Sequence, residues 1–105
     1  MGGRGSSGHA ATAEDKVRSA YRQSGGQDGS YVNVTAMHDR LEAMGMSPAD
    51  ADRTMTSMYR SQQANLVPQE NQARLSTRQR AEAIRLGGED KHRISIPESK
   101  MSRRK

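Results

Sequence analysis

Residues 35–63, TAMHDRLEAMGMSPADADRTMTSMYRSQQ, contain two helix patterns separated by a very short turn. In the first pattern, Thr35 stands where an N-cap is expected. Three methionine and leucine residues follow at i, i+4 and i+7, which places them on one buried face: Met37, Leu41 and Met44. Gly45 stands at the position where helices commonly end on glycine, and Met46 is the adjacent apolar contact. The stretch therefore predicts a helix that closes on a tight Gly-Met turn.

The second pattern has strong start signals, with Ser47 as the N-cap, Pro48 at the first helical position and Asp50 two residues later. At about 100° per residue, one face of this helix is apolar and consists of Ala51, Met55, Met58 and Tyr59. The other face carries arginine, hydroxyl and amide side chains: Arg53, Thr56, Ser57, Arg60 and Gln63. We predict a helix over residues 47–63 with a buried and an exposed face, and two helices joined in this way form a helix-turn-helix.

Composition limits what surrounds this motif. The chain has 105 residues, of which 31% are hydrophobic, and it contains no Cys, Phe or Trp. One small domain is therefore expected, and its small core favours a state stabilised by a ligand or by a second copy of the chain. The absence of cysteine excludes disulfide scaffolds, zinc ribbons and thiol catalysis. No apolar run approaches the ~20 residues of a membrane span, so we expect a cytoplasmic protein without membrane contact.

The flanking sequence predicts further short elements. A helix capped by Thr12 should end at Gly25-Gly26, and strands are expected at residues 31–34, 64–67 and 92–96. A helix that begins at Ser76 should bury Ala81, Ile84 and Leu86 and should end at Gly87-Gly88. We predict three parts of the chain: a Gly/Ser-rich arm over residues 1–11, one domain over 12–96 and a basic tail over 97–105.

The element order helix, strand, helix, helix, strand, insertion, strand resembles the winged helix-turn-helix family. The resemblance implies an α+β, mainly helical fold with a three-helix core, a small antiparallel sheet and a wing enlarged by the short helix within residues 69–91. It also implies that the helix over 47–63 enters the major groove of double-stranded DNA, while the wing contacts the backbone or minor groove. The opening GGRGSSG resembles the N-termini of phage-encoded proteins, which implies a bacterial cell or a phage-infected host.

The same resemblance assigns candidate DNA contacts in three groups. The exposed face of the second helix would read bases and phosphates. The start of the preceding helix would contact the backbone through Asn33, Thr35 and His38. The wing side would contact phosphates through Arg74, Arg78, Arg80, Lys91 and Arg93. If the protein is a homodimer, it should recognise palindromic DNA.

The distribution of charge leaves two kinds of function open. The net charge is +5, and 13 of the 17 basic residues are arginine, which suits bidentate contacts to phosphate or guanine. Residues 31–96, however, carry nine basic and eight acidic side chains. A docking module for a protein partner, or a phage assembly component, is therefore the alternative to a DNA-binding regulator. Its docking surface would be an acidic patch: Asp39, Glu42, Asp50 and Asp52.

Catalytic and metal-binding patterns give no support to an enzyme. The spacing of serine, histidine and carboxylate residues matches neither a nucleophile elbow nor a carboxylate pair. His9, His38 and His92 are far apart and lack the neighbouring ligands that zinc requires. We therefore expect a protein without catalytic activity, cofactor or metal.

Overall fold

The computed structural model describes residues 12–27, 29–69 and 71–101. The predicted arm over residues 1–11 and the last four residues of the predicted tail lie outside these ranges. Within them the fold is α+β, with four α-helices: α1 (Ala13–Gln23), α2 (Val34–Ala43), α3 (Pro48–Arg60) and α4 (Thr77–Ala81). The strands are each three residues long: β1 (Tyr31–Asn33), β2 (Asn65–Val67), β3 (Ile84–Leu86), β4 (Glu89–Lys91) and β5 (Arg93–Ser95). Gln72–Arg74 and Glu98–Lys100 form single 3₁₀ turns.

The strands form two separate antiparallel sheets. In the three-stranded sheet β5 lies between β1 and β2, so that Val32, Ile94 and Leu66 stand side by side in one buried row. The other sheet is the hairpin of β3 and β4. Its two-residue turn is Gly87-Gly88, and both glycines have positive φ angles, 59° and 78°. Glycine adopts such angles without the steric cost that a Cβ would bring, and two in succession are typical of a type I′ turn.

The core lies where α1, α2 and α3 pack against one another and against the inner face of the three-stranded sheet. Its fully buried side chains come from all of these elements: Val17, Tyr21, Val34, Met37, Leu41, Met55, Met58, Ile94 and Ile96. Methionine fills much of the space that phenylalanine usually occupies, because its flexible side chain adapts to irregular gaps. No helix in the described parts of the chain is long and apolar enough to cross a membrane.

The predicted signals at the end of α2 and at the start of α3 are confirmed. The Ser47 hydroxyl accepts a hydrogen bond from the backbone N–H of Asp50 at 3.2 Å. At the end of α2, Met46 N–H donates to the carbonyl of Leu41 and Gly45 N–H donates to Glu42, both at 2.9 Å. This pair of bonds is a Schellman motif, and it satisfies carbonyls that the helix end would otherwise leave unpaired. Thr12 and Ser76 also cap their helices as predicted, each within a capping box.

Three predictions about α2 and α3 are wrong. Thr35 is not the cap of α2, because the strand β1 runs directly into the helix and Val34 is already its first residue. The N–H of Val34 is satisfied instead by the carbonyl of His92, at 2.9 Å. The helix α3 ends at Arg60 rather than at residue 63, because Gln62 takes a positive φ of 66° and turns the chain back toward β2. Tyr59, predicted in the core, is 37% exposed.

The region after Ser76 also differs from the prediction. The helix α4 ends at Ala81, whose side chain is exposed, and Ile84 and Leu86 belong to a strand. Pairing of β3 with β4 satisfies their backbone groups and still buries Ile84, so the Gly-Gly pair is a hairpin turn rather than a helix stop.

The first residues of the predicted tail fold against the domain. The buried side chain of Arg18 donates from Nε to the carbonyl of Lys100 at 2.7 Å, and Met101 packs against the core. The folded domain therefore extends past residue 96, to Met101.

Candidate functional site

A groove runs between α3 and the β3–β4 hairpin, and we refer to it as the α3–hairpin groove. It has a volume of about 510 Å³ and opens to solvent. One wall is formed by α3 and the other by the start of the hairpin. The residues that line it are Asp52, Arg53, Thr56, Ser57, Arg60, Ala83, Ile84 and Arg85. Four of the five residues predicted on the exposed face of this helix are thus brought together in one concave surface.

The groove is rich in arginine. Arg53 forms an ion pair with Asp50, and Arg85 forms one with Asp90 at 3.1 Å. Both side chains remain well exposed, at 74% and 68%. Exposed ion pairs of this kind contribute about 0–1 kcal/mol, so a phosphate can replace the carboxylate at little cost. Within the described residues Arg60 forms no ion pair, and it is available to an anion without any exchange.

A buried histidine lies behind one wall of the groove. His38 of α2 is 5% exposed, and both of its ring nitrogens contact carboxylates. Its Nε2 lies 2.6 Å from Oδ1 of Asp52, and its Nδ1 lies 2.7 Å from Oε1 of Glu82. The hydrogen bond with Asp52 raises the pKa of His38, burial opposes this rise, and the bond with Glu82 adds to it. The predicted contact between His38 and the DNA backbone is not available, because the ring faces inward.

Arg78 extends this network to the surface. It bonds to Glu82 at 2.7 Å and to both carboxylate oxygens of Asp39. The hydrogen bond from Arg78 lowers the pKa of Asp39. Burial acts to raise the pKa of Glu82, but hydrogen bonds from Arg78 and His38 lower it overall. The network thus joins α2, α3 and α4 through charged side chains.

The other predicted contacts do not line the groove. Gln63 lies beyond the end of α3, and its side-chain carbonyl accepts a hydrogen bond from Arg18 at 3.3 Å. Asn33 is exposed at the junction of β1 and α2, whereas Thr35 is only partly exposed.

The five wing-side residues are dispersed. Arg74 and Arg80 are exposed, and Arg78 belongs to the network just described. The side chain of Lys91 is only 13% exposed and bonds to Glu89. The guanidinium of Arg93 lies over the ring of Tyr31, 5.2 Å from its centroid, on the three-stranded sheet.

Sequence reasoning missed Arg85, which supplies the arginine of the second wall. The alternation of Ile84, Arg85 and Leu86 immediately before two glycines is typical of a hairpin strand with one exposed side chain. Helical spacing from Ser76 onward nevertheless predicts these residues as part of the preceding helix. The position of Arg85 opposite α3 depends on the packing of the hairpin, which local sequence does not report.

Comparisons with known proteins find no matching family model, curated protein or solved structure. Within the described ranges, no group of three His, Asp or Glu side chains is arranged to hold a metal ion. The carboxylates beside His38 illustrate the reason, because they occupy opposite ring nitrogens and do not converge on one point. The α3–hairpin groove, lined by Arg53, Arg60 and Arg85, is the candidate functional site.

Proposed function

We propose that the protein is a non-enzymatic DNA-binding regulator of the winged helix-turn-helix class, which reads duplex DNA with the exposed face of α3. The order of elements supports this proposal. The Gly-Met turn joins α2 to α3, the sheet order is β1-β5-β2, and a hairpin lies between β2 and β5. In such a domain α3 enters the major groove, and the wing is formed by β2, β5 and the segment between them, which here includes the hairpin.

The α3–hairpin groove is the observation that carries the proposal. Arg53 and Arg60 stand two turns apart on α3, with the hydroxyl groups of Thr56 and Ser57 between them. Arginine donates two parallel hydrogen bonds to guanine or phosphate, and serine and threonine contact either base edges or phosphates. Arg85 on the opposite wall would contact the phosphate backbone beside the helix. The three arginines of this surface supply the positive charge that the phosphates of a double-stranded DNA partner require.

The test is a titration of the full chain with labelled random-sequence duplex DNA at two salt concentrations, read by fluorescence anisotropy. The test variant is Arg53→Ala with Arg60→Ala, and the matched control is Arg22→Ala with Arg40→Ala, which removes the same charge from α1 and α2. We expect the test variant to lose about tenfold or more in affinity, since one arginine contact is worth about 1–3 kcal/mol. The control should lose much less.

Two results would overturn the proposal. If the wild-type chain does not bind duplex DNA even at low salt, the DNA-binding function is wrong. If both double variants lose affinity equally, binding is a general charge effect and α3 is not the reading helix. A preferred sequence, selected from the random pool and lost in the test variant alone, would support a sequence-reading regulator.

The structure weakens the basis of the protein-docking alternative. Three of the four residues of the predicted acidic patch are engaged in ion pairs: Asp39 with Arg78, Asp50 with Arg53, and Asp52 with His38. Only the remaining member, Glu42, has no ion pair within the described residues. The Asp50–Arg53 pair is exposed, and it opens for a protein partner at as little cost as for a phosphate. We prefer DNA binding because His38 holds Asp52, and because Arg78 donates two hydrogen bonds to Asp39.

A further inference from the structure

His38 lies at the point where three elements meet. It belongs to α2, it contacts Asp52 from α3, and it contacts Glu82 just after the end of α4. These two carboxylates belong to opposite sides of the α3–hairpin groove. Asp52 lines the wall formed by α3, and Glu82 directly precedes Ala83 and Ile84 of the other wall. The histidine is thus a direct connection between the two walls.

This connection depends on a proton. Ionised carboxylates only accept hydrogen bonds, and a neutral imidazole has a single N–H to donate. When both carboxylates are ionised, only the doubly protonated imidazolium can donate in both contacts, of 2.6 Å and 2.7 Å. Beyond Glu82, the nearest charged groups of the network are Arg78 on α4 and Asp39 on α2. The helix α1 also packs against α2, but among the described residues it provides no hydrogen-bond partner for the ring.

We propose that His38 is a proton-dependent clasp that holds the hairpin against α3 and thereby sets the shape and charge of the DNA-binding groove. The effect of the clasp on DNA affinity rests on the proposed function, whereas the clasp itself does not. When the proton leaves, one carboxylate faces a ring lone pair. Glu82 keeps its bond to Arg78, whereas Asp52 has no second ion-pair partner within the described residues. Asp52 is therefore the group released, and it turns a free negative charge toward the groove.

The clasp is tested first without DNA, by following the histidine rings and backbone amides of the ¹⁵N-labelled chain by NMR through a pH titration. We expect the amides of Ala83 to Arg85 to shift with the same midpoint as the His38 ring. In His38→Gln this transition should disappear, and in the control His92→Gln it should persist. Hairpin amides that do not follow His38, or that titrate unchanged in His38→Gln, would overturn the proposal.

The second test measures duplex DNA affinity at fixed salt at about pH 6 and about pH 8.5, on either side of a histidine transition. The wild-type chain should bind about tenfold more weakly at the higher pH, the equivalent of one lost charge-assisted contact. Asp52→Asn keeps the shape of the side chain and removes the released charge, so its affinity should change little with pH. Equal pH dependence in this variant would overturn the clasp as a regulator of the groove.

The two tests separate the two ideas. A chain that shows the NMR transition but binds no DNA at either pH would retain the clasp and refute the proposed function. A chain that binds DNA through α3 with no His38-dependent transition would retain the function and refute the clasp. Should His38→Gln fail to fold, Asp52→Asn replaces it in the NMR assay. The His38 ring still titrates in this variant, but the amides of Ala83 to Arg85 should no longer follow it, and amides that still follow the ring would overturn the clasp.

Discussion

The contact between Gly26 and Tyr21 gives the sharpest test of the packing. Gly26 follows α1, and its N–H donates to the carbonyl of Tyr21 at 2.8 Å. A Cβ built on Gly26 would lie 2.5 to 2.6 Å from three ring carbons of Tyr21. Normal carbon contacts are about 3.5–4.0 Å, so Gly26→Ala requires the ring to move by about 1 Å.

The burial of the ring and the hydrogen bond of its hydroxyl oppose this movement. Tyr21 is 0% exposed, and its hydroxyl donates to the carbonyl of Ser30. Overpacking a rigid core costs about 1–3 kcal/mol, and we expect Gly26→Ala to lie at the upper end of this range. For a domain of this size a loss of about 3 kcal/mol lowers Tm by about 12 °C or more. Helical circular dichroism during thermal and urea unfolding measures both quantities.

Gly25→Ala is the matched control, because it adds the same methyl group one residue earlier. No atom lies within 4 Å of its Cβ position, but its φ of +94° is unfavourable for alanine, at a cost of about 1–2 kcal/mol. Replacing Tyr21 with leucine should reduce the additional cost of Gly26→Ala, since the two sites are in contact. The reasoning is refuted if Gly26→Ala costs no more than the control, or if its cost is independent of the residue at position 21.

Three further predictions concern stability. Met58→Ala removes a side chain that is 0% exposed, and it should cost about 2–5 kcal/mol in urea unfolding; a loss below that of an exposed-site variant such as Gln23→Ala would contradict the core assignment. Ser47→Ala removes the cap of α3 and should lower the free energy of unfolding by about 1 kcal/mol. Ser47→Asp should keep most of the stability that the cap provides. His38 has a raised pKa, so its contribution is complete below its ordinary pKa of 6.5 and is lost as the pH rises through the folded value. Glu82 and Asp39 have lowered pKa values, so their contributions are lost as the pH falls below their ordinary values of 4.5 and 3.8. The urea midpoint should therefore be highest between these limits. His38→Gln should flatten the alkaline side, and it should also reduce the part of the acid side that comes from Glu82, because Glu82 loses its bond to His38.

The local signals in the sequence predicted the helix-turn-helix segment well. Ser47 caps α3, Gly45 and Met46 close α2, and Met55 and Met58 are buried, as expected from their spacing. These features depend on bonds and faces within a few residues along one helix. The polar face of α3 follows from the same periodicity, which is why four of its predicted residues line one groove.

Local sequence patterns gave a wrong prediction where a short helix is followed closely by a short strand. Three residues of β3 follow five residues of α4, and helical spacing accounted for Ile84 equally well. Pairing with β4 decides the outcome, because it satisfies the backbone groups and buries Ile84 at the same time. Tyr59 is a second example. It lies at the edge of the apolar face of α3, so the neighbouring elements decide whether its side chain is buried.

The sequence by itself determined where α1, α3 and α4 begin, which faces of α2 and α3 are apolar, and that the chain carries excess arginine. Only the tertiary structure decided which charges meet. His38 contacts carboxylates 14 and 44 residues away, and Arg18 bonds to the carbonyl of Lys100, 82 residues away. Such pairs form because the helices and the hairpin pack against a common core. Packing brings together residues that are far apart along the chain, and no local sequence pattern indicates which of them will meet.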